Sequence, residues 1–303
     1  MSRTVTIGVD GSLESLAAAD WAAREALLRG AALRIVYAGE QQPHAYVPFA
    51  GEAVAPPGAD RSVSMLREVR ASLTHRHPGL RITADQVAGQ PTTVLSAEAE
   101  KAELLVLGSR GLGRTTGLLL GSVALAVVAR AARPVVLVRA DVDAGDEHLS
   151  DVAGIPSAAT PYRDVVLGLD LHAPDDTVLG FAFDAALRRG AALRVLHGWN
   201  LPGYPPPIPG VPGTRPEGVP AGQTGQRLTD SLGPWREKFP GVEVTEEAVI
   251  GRAGSHLVDA SRDASLVVVG RRNRHVPVGG HIGPVTHAVL HDAAAPVAVV
   301  PHD

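Results

Sequence analysis

Two stretches in the first half of the chain combine residue types suited to binding phosphate. Asp10-Gly11-Ser12 follows an apolar run ending at Val9. Gly108-Ser109-Arg110-Gly111-Leu112-Gly113-Arg114 follows another, with Gly121-Ser122 shortly after it. Glycines let backbone N–H groups come close to an anion, and a helix opening near Gly121-Ser122 would add about half a positive charge. The Ser122 hydroxyl, the amides beside it, and Arg110 or Arg114 as countercharge could then bind phosphate oxygens. Taken alone, Asp10 reads equally as a turn residue or as a charge at a helix N-terminus, and Gly121-Ser122 as a plain helix cap.

Covalent chemistry is less well served. There is no Gly-Lys-Ser/Thr phosphate loop and no base beside the glycine-rich stretch, so at most weak hydrolysis is expected and no catalytic residue is assigned. The absence of cysteine excludes disulfides, thiolate nucleophiles and Cys-based zinc sites. His287 and His291 have a metal-compatible i, i+4 spacing but no third ligand nearby in sequence, so no metal site is assigned. His281-Ile282-Gly283-Pro284 lacks the closing histidine of the His-x-Gly-His signature of nucleotidyl transferases and follows the fourth strand rather than the first.

Short β-branched runs alternate with Ala/Leu-rich segments, and these elements must position the candidates. The pattern predicts strands Thr4–Val9, Ala32–Ala38, Arg81–Val87, Leu104–Gly108 and Pro134–Val138. It predicts helices Leu13–Arg29, Ser62–Arg76, Thr92–Lys101 and Leu118–Ala131 between them. In the first helix Leu16, Ala23 and Leu27 share a face, with Ser12 as N-cap and Gly30 as the stop. Continuous apolar strands joined by helices mean a parallel sheet covered on both faces. With strand order 3-2-1-4-5, a ligand crevice opens beyond the carboxyl ends of the first and fourth strands, where both stretches emerge.

The chain then repeats itself. Val5 to Asp10 matches Val165 to Asp170, and Arg29 to Arg34 matches Arg189 to Arg194, at a constant offset of 160. Farther on, the offset is 162: Gly108 matches Gly270, Gly121 matches Gly283, and Pro134–Val138 matches Pro296–Val300. The α/β reading is therefore two tandem Rossmann-like, doubly wound domains at 1–140 and 162–303, each a five-stranded parallel sheet, joined by a polar linker at 141–161. A proline-rich stretch, Pro202 to Gly225, interrupts the second repeat where the first has the shorter loop Gly39 to Asp60; it reads as a surface insertion.

The spacing Gly108-x2-Gly111-x9-Gly121-Ser122 resembles the ATP-binding signature of the universal stress protein family. Asp10 closing the first strand and Val36-Tyr37-Ala38 closing the second are its companions. That resemblance implies that Val9 and Asp10 lie against adenine and ribose, and that the Ala38 backbone meets the adenine edge. It places Gly108, Ser109, Arg110, Gly111, Gly121, Ser122 and Val123 around ribose and phosphates. The corresponding set in the second repeat is Asp170, Gly198, Gly270, Arg271, Gly283, Val285 and Thr286. There the signature is degenerate: Asn273 stands where the second glycine belongs, and Pro284 replaces the serine. Asn tolerates the left-handed turn, whereas Pro284 removes a hydroxyl and an N–H. Arg271, Arg272 and Arg274 either restore charge or form an exposed basic loop, and nucleotide binding by this repeat stays open.

The resemblance further implies ATP with Mg²⁺, a homodimer formed through the last strands, and a stress-response regulator that signals to an unidentified protein partner. The alternatives are a slow ATPase or nucleotidyl transferase on the same scaffold, or a nucleotide-free interaction module. The net charge of −4 argues against nucleic acid as a partner. The N-terminus lacks the apolar core of a signal peptide, and the longest apolar run, Leu118 to Ala129, is too short to span a bilayer; a cytoplasmic location is expected.

Overall fold

The computed structural model describes residues 3–39, 59–109, 120–199, 221–273 and 282–303. Two compact units divide the chain, Met1–Asp141 and Val142–Asp303. The first contains β1 (Thr4–Gly8), α1 (Leu13–Arg29), β2 (Ala32–Gly39), α2 (Ala59–Arg76), β3 (Ile82–Ala88), α3 (Pro91–Lys101), β4 (Leu104–Gly108), α4 (Ser122–Arg130) and β5 (Val135–Val138). The second repeats the series as β6 (Asp164–Gly168), α5 (Asp176–Arg189), β7 (Leu193–Trp199), α6 (Ala221–Lys238), β8 (Val244–Ile250), α7 (Ala253–Ala260), β9 (Ala264–Arg272), α8 (Pro284–Asp292) and β10 (Val297–His302).

Strand order in the first unit is β3-β2-β1-β4-β5, and in the second β8-β7-β6-β9-β10. Every pairing between these strands within each unit is parallel. Parallel strands need crossovers, and right-handed crossovers running outward in both directions from β1 put helices on both faces. Accordingly α1 packs with α2, and α3 with α4. The strands are apolar because both faces are covered: Ile7, Leu33, Ile35, Leu104 and Leu105 are fully buried, as are Leu167, Leu193, Val195 and Leu266 in the second unit.

Helix α1 starts and stops where its caps require. The Ser12 hydroxyl accepts from the Ser15 amide at 3.2 Å, and Gly30, with φ of 58°, ends the helix by donating back to Ala26 and Leu27. Its buried face differs from the expected one. Ala18, Trp21, Ala22, Ala23 and Ala26 face inward, while Leu16 and Leu27 stand 39% and 48% exposed. Small side chains let the helix lie close on the sheet, which leaves the larger leucines at its margins. Helix α4 also starts later than the apolar run suggests, at Ser122 rather than Leu118. Leu118 lies outside the described residues, and Leu120 and Gly121 are not helical. Of the insertion Pro202 to Gly225, residues 202–220 lie outside them too, while Ala221 to Gly225 open α6; of the loop Gly39 to Asp60, residues 40–58 lie outside, Gly39 closes β2 and Asp60 belongs to α2.

Of residues 141–161, read from composition as a linker, 142–161 cluster with the second unit. The Arg163 amide donates to the Glu147 carbonyl at 2.9 Å and its Nε to the His148 carbonyl at 2.8 Å. The His148 and Tyr162 rings lie 4.0 Å apart, and the Arg189 guanidinium sits over Tyr162 at 5.7 Å. Polar residues of this stretch close local turns: the Asp151 carboxylate accepts from the amides of Ala153 and Ile155.

In the first unit, Arg29 is buried with carboxylates around it. Its Nε reaches Glu25 at 2.6 Å and an Nη reaches Glu103 at 2.9 Å. Burial by itself would disfavour the guanidinium charge, but Glu25 and Glu103 more than offset it, and the group is held above its ordinary range. Removing the cation takes a charged partner from Glu25, which is also buried. Arg29→Met should therefore cost about 3–5 kcal/mol of stability, read as a lower urea midpoint for the N-terminal unit.

Candidate functional site

Each unit opens a cleft at the carboxyl ends of its two central strands, where the strand order reverses. The N-terminal cleft encloses about 360 Å³ and the C-terminal one about 380 Å³. Both volumes are of small-molecule size.

The floor of the N-terminal cleft is apolar. Val9, Val36, Ala38 and Leu95 come from the ends of β1 and β2 and from α3. The Val9 amide donates to the Val36 carbonyl at 2.9 Å, which fixes the backbone just before Asp10. Asp10 enters a tight turn: its Oδ1 accepts from the Ser12 amide at 2.9 Å and the Ser12 hydroxyl at 2.5 Å. Gly11, with φ of 85°, supplies the left-handed bend. The carboxylate thus has a structural task as well as a place in the lining.

Gly121, Ser122, Val123 and Ala124 line the cleft as well. Gly121 is the N-cap of α4 and makes no side-chain capping bond. The first amides of a helix have no intrahelical acceptor, so an N-cap without a side chain leaves them for a ligand or water.

Of the residues read from the sequence, Val9, Asp10, Ala38, Gly108, Gly121, Ser122 and Val123 meet in this cleft. Ser109 does not line it. It is buried, and its amide and hydroxyl both donate to the Val138 carbonyl, at 2.7 and 3.2 Å, tying β4 to β5. Arg110 and Gly111, with Arg114, lie outside the described residues. Gly108 has a packing reason to be glycine: a Cβ there would stand 2.7 Å from the Glu14 carbonyl carbon and 2.9 Å from the Ser15 nitrogen. Glu14, Pro91 and Leu95 also line the cleft and were not singled out beforehand. Pro91 at the start of α3 was the available signal, because proline favours the first helical turn.

In the C-terminal cleft all seven expected residues come together: Asp170, Gly198, Gly270, Arg271, Gly283, Val285 and Thr286. Asp170 repeats the turn, its Oδ1 accepting from the His172 amide at 3.0 Å. Thr286 donates its hydroxyl to the Gly270 carbonyl at 3.0 Å. Gly198 is pressed against α7, where a Cβ would meet the Ala253 Cα at 2.5 Å. Arg271 is buried in the wall, and burial lowers its pKa from the usual value.

Three histidines, His172, His197 and His302, enter this lining without having been expected. His197 Nδ1 lies 2.9 Å from the Leu169 carbonyl, which requires the proton on Nδ1. Aligning the repeats was the signal that could have found it, since His197 takes the place of Tyr37.

The sequence model of the universal stress protein family matches residues 1–139 and 161–301. The chain belongs to the universal stress protein family. A universal stress protein of Mycobacterium tuberculosis is 32% identical over 319 residues, an alignment covering 97% of this chain and 96% of the relative. A crystal structure of a universal stress protein from Archaeoglobus fulgidus shares the fold, with a TM-score of 0.69, 15% identity and full coverage of both chains. A universal stress protein solved in complex with cAMP is 32% identical, covers 46% of this chain and 98% of its own, and superposes with a TM-score of 0.36. Among the described residues no helix is long and apolar enough to cross a membrane.

Because Gly108 and Gly198 face backbone rather than flexible side-chain ends, neither family repeat can absorb a methyl there without moving a helix. Gly108→Ala and Gly198→Ala should each cost about 1–3 kcal/mol in chemical denaturation, the usual range for overpacking.

Proposed function

We propose that the N-terminal cleft binds ATP and that the protein is a nucleotide-dependent stress-response regulator. The observation that carries this reading is the N-terminus of α4, which has no side-chain cap and lines the same cleft as Asp10. Val9, Val36, Ala38 and Leu95 offer an apolar bed for adenine, Asp10 an acceptor for ribose hydroxyls, and the amides beside Gly121 and Ser122 a cradle for phosphate.

Mg²⁺ fits the same end. It prefers oxygen ligands and keeps several waters, and the Ser122 hydroxyl is exposed there beside the phosphate cradle. The ion would neutralise phosphate charge in a cleft whose described charged residues are Asp10 and Glu14.

Binding of this kind changes occupancy without consuming ligand. Its consequence passes to a homodimer or to a protein partner in the cytoplasm. Gly108, Gly121, Ser122 and Val123 act by holding the nucleotide, Asp10 by orienting it, and Arg110 and Gly111 by completing the phosphate loop.

Denaturing the purified protein and counting released nucleotide by chromatography and mass spectrometry tests the assignment. Gly121→Asp keeps a good N-cap while placing a carboxylate where phosphate would sit, so the helix should persist. The variant should carry about one ATP fewer per chain than wild type. It should also lose the thermal stabilisation given by Mg-ATP, which is about 2.7 kcal/mol at a hundredfold excess over Kd. Equal nucleotide content in the two proteins would exclude the N-terminal cleft, and no nucleotide in either would favour an interaction module.

A further inference from the structure

Helices α4 and α8 hold the same place in their repeats but differ in chemistry at three positions. At the offset of 162, Leu125, Ala129 and Arg130 of α4 become His287, His291 and Asp292 of α8. The exchange brings in two imidazoles and puts a carboxylate where the first repeat has a cation. Thr286, Val289 and Leu290 supply the buried face of α8, while His287 is exposed and His291 half-buried. Neither histidine lines the C-terminal cleft.

Spacing alone assigns no metal to this pair; the structure adds two observations. Residues four apart on a helix stand one above the other, and the two rings lie nearly parallel, 14° apart in plane and 6.4 Å between centroids. Metal–imidazole bonds of about 2.0–2.1 Å need the two ligating nitrogens within about 4 Å of each other. Rotation of the exposed His287 side chain closes that gap with no change of backbone. The second observation is that His291 Nδ1 lies 2.8 Å from Asp292 Oδ1. A carboxylate only accepts, so the proton sits on Nδ1 and Nε2 keeps its lone pair for a metal. His291 also stands in the last turn of α8, the end of a helix that favours a cation.

We propose that His287 and His291 chelate one divalent transition ion, Cu²⁺ or Zn²⁺, on the outside of α8, with Asp292 as a positioning residue. Imidazole suits these ions, whereas Mg²⁺ and Ca²⁺ prefer oxygen ligands. Among the described residues no group of three His, Asp or Glu side chains is placed to hold a metal, so water completes the coordination and the ion exchanges freely. Bridging one helical turn also stiffens α8. The site depends on neither cleft and on no nucleotide.

The test uses the full chain without an affinity tag, stripped of metal and titrated by calorimetry with Zn²⁺ and separately with Cu²⁺. About one tightest site per chain is expected, stronger for Cu²⁺ than for Zn²⁺ and untouched by excess Mg²⁺. His287→Ala and His291→Ala should each weaken it about a hundredfold, and the double variant no further, because chelation needs both rings. Asp292→Ala should weaken it about tenfold, as loss of an outer partner does, and Asp292→Asn, which still accepts from Nδ1, should recover part of that. Alanine is the best helix former and already stands at Ala129 in the first repeat, so α8 should persist, as circular dichroism will show. His75→Ala, at another exposed histidine, should change nothing. With Cu²⁺ bound, electron paramagnetic resonance should show coupling to two imidazole nitrogens in wild type and to one in either single variant. Zn²⁺ should slow hydrogen exchange of α8 amides in wild type only.

Affinity unchanged by either histidine substitution, or lost equally in His75→Ala, would overturn the site. Losses in the two histidine variants that add in the double variant would overturn chelation in favour of two independent ligands. Asp292→Ala binding as well as wild type would overturn the positioning role.

Discussion

In the first unit the first turn of α1 rests on the end of β4 so closely that the Gly108 α-carbon faces the backbone of Glu14 and Ser15 with no room for a methyl group. Much of the cleft follows from that contact. It fixes where α1 begins, and so where Asp10, Gly11 and Ser12 must turn. It also holds β1 and β4 side by side at the point where strand order reverses. The crevice exists because the neighbouring crossovers leave this point in opposite directions. A bulkier residue at 108 would push the helix away and loosen the turn that holds Asp10.

The second unit meets the same constraint differently. Gly270 is again enclosed, but by the His302 imidazole and a methyl of Val178 rather than by helix backbone. Losing one helical turn from α5 and gaining strand at the ends of β9 and β10 are two sides of one exchange. Cleft volume is conserved through it while the chemistry of the lining changes. Duplicated domains can diverge in this way, since burial of the sheet fixes the strands and leaves only their carboxyl ends to vary.

Much of the architecture was legible because it rests on local and periodic rules. The strands show as apolar runs since both of their faces are covered, and α1 shows its ends through Ser12 and Gly30. The repeat doubled every such signal. The sequence also brought most of the lining into view, from Val9 and Asp10 to Gly121 and Ser122. Less legible were features that depend on what packs against a residue. Leu16 and Leu27 share a helical face, yet alanines form the buried one, because the distance between helix and sheet is set by partners remote in sequence. Composition marks residues 141–161 as a linker, and it does not show that Asp151 closes a turn there or that His148 lies against Tyr162.

By itself, then, the sequence determined two parallel α/β repeats and the ends of the strands at which ligands collect, since these follow from apolar pattern, helix caps and chain duplication. Tertiary structure decided the rest. It turned Ser109 toward β5 and away from the cleft. It gave Gly108 a packing role that a phosphate-loop reading does not contain. And it lengthened β9 and β10 so that Arg271, Arg272 and His302 share one cleft. The physical reason is the same in each case. Whether a strand ends or continues depends on a hydrogen-bonding partner strand, and whether a side chain faces a cleft or a neighbour depends on the space that distant elements leave.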